Sequence, residues 1–191
     1  MYPSLVWRMP AAEKKIYLSF DDGPHPVATR FVLDQLAIYG AKASFFCIGK
    51  NVAAEPAIYQ RILAEGHTVG NHTHRHLNGW KTADEDYVSD TINAEKYIQS
   101  DLFRPPYGKI KRSQAKLLQE KGKKIIMWDV LSADFDTSLS PQACLSYVLY
   151  HTKPGAIVLF HDSEKAWERM SVALPAVLKH FSSEGYVFEK L

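Results

Sequence analysis

Cysteine is nearly absent from this 191-residue chain: Cys47 and Cys144 stand far apart, with no metal-type spacing. That excludes a disulfide framework and a cysteine-based metal cluster, and both are read as free thiols, Cys47 in an apolar strand and Cys144 in a helix. No apolar run approaches the ~20 residues of a membrane-spanning helix. The stretch Met1 to Pro10 lacks a charged start followed by an apolar segment, so no signal peptide is visible. A cytoplasmic protein and an exported protein trimmed of its leader or anchor both stay open. Excess charge is lacking too. The 23 Lys and Arg balance 21 Asp and Glu to a net +2 and form no long cluster, which argues against a nucleic-acid partner. There is no internal repeat and no linker. What is present, 46% hydrophobic and 12% aromatic residues, is enough for one globular domain with a large core.

The apolar run Lys15–Phe20 reads as a first strand, preceded by an arm (residues 1–14) that carries Trp7 and forms an edge strand or a plug. Ala28, Val32, Leu36 and Tyr39 then recur at helical spacing until Gly40. Further strands are expected at 43–48, 68–71, 102–104, 124–128, 155–160 and 186–188. Helices are expected at 56–66, 84–100, 111–121 and 141–152, with a last one through Trp167, Met170, Leu174, Val177 and Phe181. Pro175 is expected near the first turn of that helix or as a kink in it. Seven short apolar strands alternating with six helices argue for an α/β fold with a parallel sheet, either a closed barrel or a doubly wound open sheet. Either architecture places its site outside the carboxyl ends of the strands.

Polar residues fall at those ends. Asp21 and Asp22 follow the first strand, His72 the third, Arg104 ends the fourth, Asp129 the fifth and His161 the sixth. Two adjacent carboxylates repel unless a cation meets them. His72 and His76, four apart, would face one side of a helical turn. With a carboxylate they make a three-ligand site suited to catalytic Zn²⁺ or a similar divalent ion. His74 should face away. Successive strand residues point to opposite faces, so Asp21 and Asp22 can share a site only if regular pleating ends between them.

These segments carry a strong resemblance. Ser19-Phe20-Asp21-Asp22-Gly23-Pro24, His72-Thr73-His74-Arg75-His76, Arg104-Pro105-Pro106-Tyr107, Asp134-Phe135 and Leu159-Phe160-His161-Asp162 match, in order, the five motifs of the polysaccharide deacetylases of the NodB-homology type, carbohydrate esterase family 4. The resemblance spans about Lys15 to Leu191. It implies a distorted (β/α) barrel of about seven parallel strands and a single catalytic domain over 15–191. It also implies one divalent ion, Zn²⁺ with Co²⁺, Ni²⁺ or Mn²⁺ as alternatives, on Asp22, His72 and His76. Asp21 would be the base, Arg104 its orienting partner, and His161 the general acid beside Asp134. Tyr107 with Pro106 would serve the oxyanion, and Leu159 and Phe135 would line the substrate pocket. Phe135 departs from the family's usual Trp and loses the indole N–H. Asp129 and Asp162 are read as structural, while Trp80, Tyr107 and Trp167 are candidates for stacking on sugar rings.

The implied function is removal of N-acetyl groups from an N-acetylglucosamine glycan of chitin-oligosaccharide or peptidoglycan type, by a monomer acting on a carbohydrate partner. Alternatives are an O-acetyl xylan-type esterase, a deformylase or amidase on a small molecule or lipid-linked sugar, and, remotely, a sugar-binding pseudoenzyme. The family usually acts on the cell envelope.

Overall fold

The run KIYLSFD is apolar on both faces and becomes the central strand β1 (Lys15–Asp21), in which every residue after Lys15 is buried. The computed structural model describes residues 5–10 and 12–191. After β1 follow α1 (Ala28–Ile38), β2 (Ala43–Cys47), α2 (Gly49–Ala54), α3 (Pro56–Ala64), β3 (Thr68–Asn71), α4 (Asp84–Ala94), β4 (Leu102–Phe103), α5 (Arg112–Glu120) and β5 (Lys124–Ile125). The chain ends with β6 (Val130–Leu131), α6 (Pro141–His151), β7 (Ile157–His161), α7 (Trp167–Ser183) and β8 (Val187–Phe188).

All strand pairs are parallel, in the order β5-β4-β3-β2-β1-β7-β6, with β8 beside the start of β1. Seven strands in one curled path give the distorted barrel that the motifs implied, and β8 adds an eighth. The pair Val130–Leu131 had no period to announce it, being two residues long. The short helix α2 was likewise unannounced, and Pro175 lies in mid-helix, well beyond the first turn of α7.

The gap between the sheet's two ends is filled by the described part of the arm. Val6 bridges Ile126 in parallel and Arg8 bridges Ala156 in antiparallel sense, with Met127 N–H donating to the Val6 carbonyl at 2.7 Å. Residues 1–4 and 11 of the expected arm lie outside the described residues. The arm presses on Gly155, whose φ of +83° and whose 2.4 Å from a hypothetical Cβ to the Met9 carbonyl both demand glycine. Gly155→Ala should therefore cost about 1–3 kcal/mol, read as a lowered midpoint in chemical denaturation. An unchanged midpoint would show that the arm contributes nothing.

The main core lies between β1, β2 and β7 and the helices α1, α6 and α7. A second cluster joins Phe103 and Ile125 to Tyr87 of α4 and Leu118 of α5. Inside the curl, Tyr17, Phe46, Ile126 and Ile157 form an apolar floor. Because alternate residues share a face, Ser19 and Asp21 rise from that floor above Tyr17 toward the carboxyl rim. Cys47 and Cys144 are buried free thiols, as the sequence implied. Among the described residues no helix is long and apolar enough to cross a membrane.

Candidate active site

The rim is built where regular backbone stops. Asp21 is the last residue of β1, and Asp22 turns into the left-handed region at φ 84°. That break answers the pleating problem, since Asp22 no longer alternates away from Asp21. His72 follows β3 and His76 sits at φ 60°, four residues on. Here the structure corrects the helical-turn expectation: residues 72–76 form an irregular loop, and Thr73 is also left-handed at φ 62°. The loop nonetheless brings the two imidazole centroids to 5.1 Å. Buried Asp90 holds it by accepting from the N–H groups of His74 and Arg75 at 2.9 Å each. His74 faces away, stacked on Tyr97.

One oxygen of Asp22 and one nitrogen each of His72 and His76 lie within 4.8 Å of one another. His76 Nε2 is 3.2 Å and His72 Nε2 3.8 Å from Asp22 Oδ1. That oxygen is buried and accepts no well-formed hydrogen bond. His72 Nδ1 contacts the Arg104 carbonyl at 2.7 Å, so Nδ1 carries the proton and Nε2 offers its lone pair to the site. Burial pushes the His72 imidazole down to about 4, against the pull of Asp21, so it is neutral at ordinary pH, as a metal ligand must be. Burial would raise Asp22. The close approach of His76 and the charge of His161 outweigh it and hold the carboxyl well below the usual range. One carboxylate and two imidazoles, with an orphaned buried oxygen at their centre, fit a divalent cation.

Arg104 is fully buried beneath this cluster. Its Nη1 donates to Asp21 Oδ1 at 2.8 Å and to Ser19 Oγ at 2.9 Å, and Nε and Nη2 donate to the carbonyls of Ile126 and Met127. Phe46 stacks 4.0 Å below the guanidinium. The second Asp21 oxygen faces His72 Nε2 at 3.7 Å.

His161 stands beside Asp21 in the β1–β7 register. Asp134, wholly buried, accepts from the His161 backbone N–H at 2.8 Å and meets its Nδ1 at 2.7 Å. Burial opposes the imidazolium, but Asp134, with smaller help from Asp22 and Asp21, raises His161 to about 9. Phe135 lies edge-on to His161 at 5.3 Å. Leu159, two residues before His161, is buried on the same face. Tyr107 is exposed, left-handed at φ 61°, and its hydroxyl is 3.1 Å from His76 Nδ1. It follows Pro106 into a 3-10 turn, whose first donors have no partner within the turn.

Asp129 does not belong to the rim. Its N–H donates to the Ile157 carbonyl and its carboxylate accepts from Ile157 N–H, level with the start of β7 and opposite His161. The fifth strand ends at Ile125, and the chain has crossed to the sheet's other end by Asp129. Trp167 is half-buried and packed edge-on against Phe31 at 5.2 Å. Trp80 is exposed, with Lys109 5.4 Å from its ring centroid. Ser19 stood in the first motif without a role, while Asp90 and Arg169, whose Nε donates to the Asp134 carbonyl at 2.7 Å, were not foreseen. Nothing in their spacing marks them, since each acts through a partner far away in sequence.

Residues 8–126 match the family pattern described as polysaccharide deacetylase. The peptidoglycan-N-acetylglucosamine deacetylase of Bacillus cereus is 34% identical over 190 residues, covering 96% of this chain and 89% of that protein. This chain belongs to the polysaccharide deacetylase family. Among other members, the chitooligosaccharide deacetylase of Bradyrhizobium sp. (strain ANU 289) is 33% identical over 165 residues, 83% of this chain and 75% of that one. The deacetylase fold is shared closely with the crystal structure of the Bc1960 peptidoglycan N-acetylglucosamine deacetylase. That similarity has a TM-score of 0.90 at 29% identity and covers 98% of this chain and 91% of that chain.

Proposed function

We propose that this polysaccharide deacetylase is a divalent-metal-dependent hydrolase that removes N-acetyl groups from an N-acetylglucosamine glycan of peptidoglycan or chitooligosaccharide type. The observation that carries the reading is the flanking of one three-ligand cluster by two opposed proton-transfer pairs, Asp21–Arg104 and His161–Asp134. A sugar-binding pseudoenzyme has no use for either pair. The named relatives, deacetylases of such glycans, support the substrate class.

Asp22, His72 and His76 would hold the cation, which when bound acidifies water and polarises a carbonyl oxygen. Asp21 keeps one oxygen on Arg104 and presents the other to the site, where it accepts the proton of the attacking water. Arg104 fixes that carboxylate through a buried, charge-assisted hydrogen bond. The Tyr107 N–H donates to the developing oxyanion, a contact of a kind worth about 3–4 kcal/mol. His161 delivers a proton to the departing amine, and Asp134 keeps the imidazole oriented and charged. Leu159 and Phe135 give the acetyl methyl and the sugar an apolar wall.

Acetate release from N-acetylglucosamine oligomers tests the reading. A chelator should abolish release, and added Zn²⁺ or Co²⁺ should restore it. His72→Ala and His76→Ala should each lose both metal and activity. Stoichiometric metal and full turnover in both variants would remove the ligand assignment.

A further inference from the structure

Asp162 is the buried acid that the chemistry above leaves unused. Its carboxylate is spent on the turn that carries Asp22. Oδ1 accepts the Gly23 N–H at 3.0 Å, and Oδ2 takes the Thr29 hydroxyl, which itself accepts from His25 N–H. The Asp162 backbone N–H donates to the Asp21 carbonyl at 3.1 Å, which extends the β1–β7 ladder one residue past His161. A Cβ on Gly23 would lie 2.0 Å from Asp162 Oδ2, so glycine is needed there because this carboxyl occupies the space.

The same turn has two further anchors. The Gly23 carbonyl accepts from Ile48 N–H at 3.0 Å, and the Asp22 carbonyl accepts from Asn51 Nδ2 at 2.7 Å. Asp22 itself is left-handed, a conformation that costs a non-glycine residue about 1–3 kcal/mol unless its surroundings hold it. Of the three anchors only Asp162 is joined directly to the strand of the general acid, as the residue after His161.

We propose that Asp162 is a positioning residue: by gripping the Gly23 N–H from the residue after His161, it sets the Asp22 carboxylate at ligand distance and ties that placement to the acid on β7. The inference rests on the metal-site reading above. Groups that orient metal ligands from behind typically change metal affinity 10–100-fold when removed.

The test is a Zn²⁺ titration of the apoprotein against a chromogenic chelator, with no substrate present, at a temperature where each variant is folded. Asp162→Ala should lower Zn²⁺ affinity about 10–100-fold, and excess Zn²⁺ should recover much of its lost turnover. Asp162→Asn, which keeps an acceptor for Gly23 N–H, should stay near wild type. Gly155→Ala, at the opposite end of the sheet, serves as a control, losing stability with Zn²⁺ affinity intact. If Asp162→Ala does not fold, Thr29→Val decides, with a smaller loss that Thr29→Ser restores. Zn²⁺ affinity in Asp162→Ala, or in Thr29→Val, equal to that of the Gly155→Ala control overturns the proposal. A wild-type protein that binds no Zn²⁺ would instead overturn the underlying site reading.

Discussion

His161→Ala should lower acetamide hydrolysis about 10²–10⁴-fold and hydrolysis of an aryl acetate far less. An amine leaves only when protonated, whereas an aryloxide departs without help. The same acid sets the alkaline limb of the pH profile. With its pKa raised to about 9, chiefly by Asp134 against the opposing effect of burial, His161 keeps its proton through neutrality and loses it as pH rises. Asp134→Asn removes the main charge that favours the imidazolium, so the limb should move down toward the unperturbed ~6.5. A cation on Asp22 would neutralise one of the lesser contributions, so the limb of the metal-loaded enzyme should lie somewhat below 9. Rates of both variants on both substrates across pH decide the matter. Equal losses on amide and ester would end the acid role.

Arg104→Met should destabilise the fold by about 3–5 kcal/mol, measured by chemical denaturation, and abolish turnover. The guanidinium is wholly buried, four of its N–H contacts are satisfied, and Asp21 is its carboxylate partner. Methionine fills much of the volume over Phe46 but leaves the buried Asp21 carboxylate without its guanidinium partner. Arg104→Lys should not rescue, because an ammonium cannot meet Ser19, Asp21 and two carbonyls from one plane. In the converse variant, Asp21→Asn, the three proposed ligands are untouched, so metal should stay while turnover falls. Metal loss in Asp21→Asn would make Asp21 a ligand.

The strand ends were legible because buried parallel strands are plain apolar runs, and a charged residue that closes such a run marks where the chain reaches the rim. Asp21, Asp22, His72, Arg104 and His161 were all placed on the correct rim in this way. Asp129 was misplaced because Lys124–Trp128 looks like one strand in sequence, although ladder pairing covers only Lys124–Ile125. The apolar Ile126 and Met127 that continue the run owe their burial to the barrel floor and the arm. The loop at 72–76 was given helical geometry on spacing alone. Only tertiary anchors such as Asp90 determine its real path, and an aspartate inside an amphipathic helix carries no mark of that task. Asp162 was seen but read as inert structure, since its contacts with Gly23 and Thr29 exist only once β1 and β7 are neighbours.

Among the described residues, the five non-glycine residues with positive φ are Asp22, Thr73, His76, Tyr107 and Ala133, and each lies in a loop leaving the carboxyl end of a strand. Conformational tension is thus concentrated around the chemistry, while the barrel's far end relies on glycine, as at Gly155. Selection for heat resistance alone would therefore pull against this rim, since glycine at any of these five positions relaxes the backbone. At Asp22 and His76 that relaxation removes a proposed metal ligand. At Ala133 it loosens the approach to Asp134 without deleting a functional group. A lineage drifting toward stability would be expected to lose turnover first through Ala133, with every catalytic side chain still in its sequence.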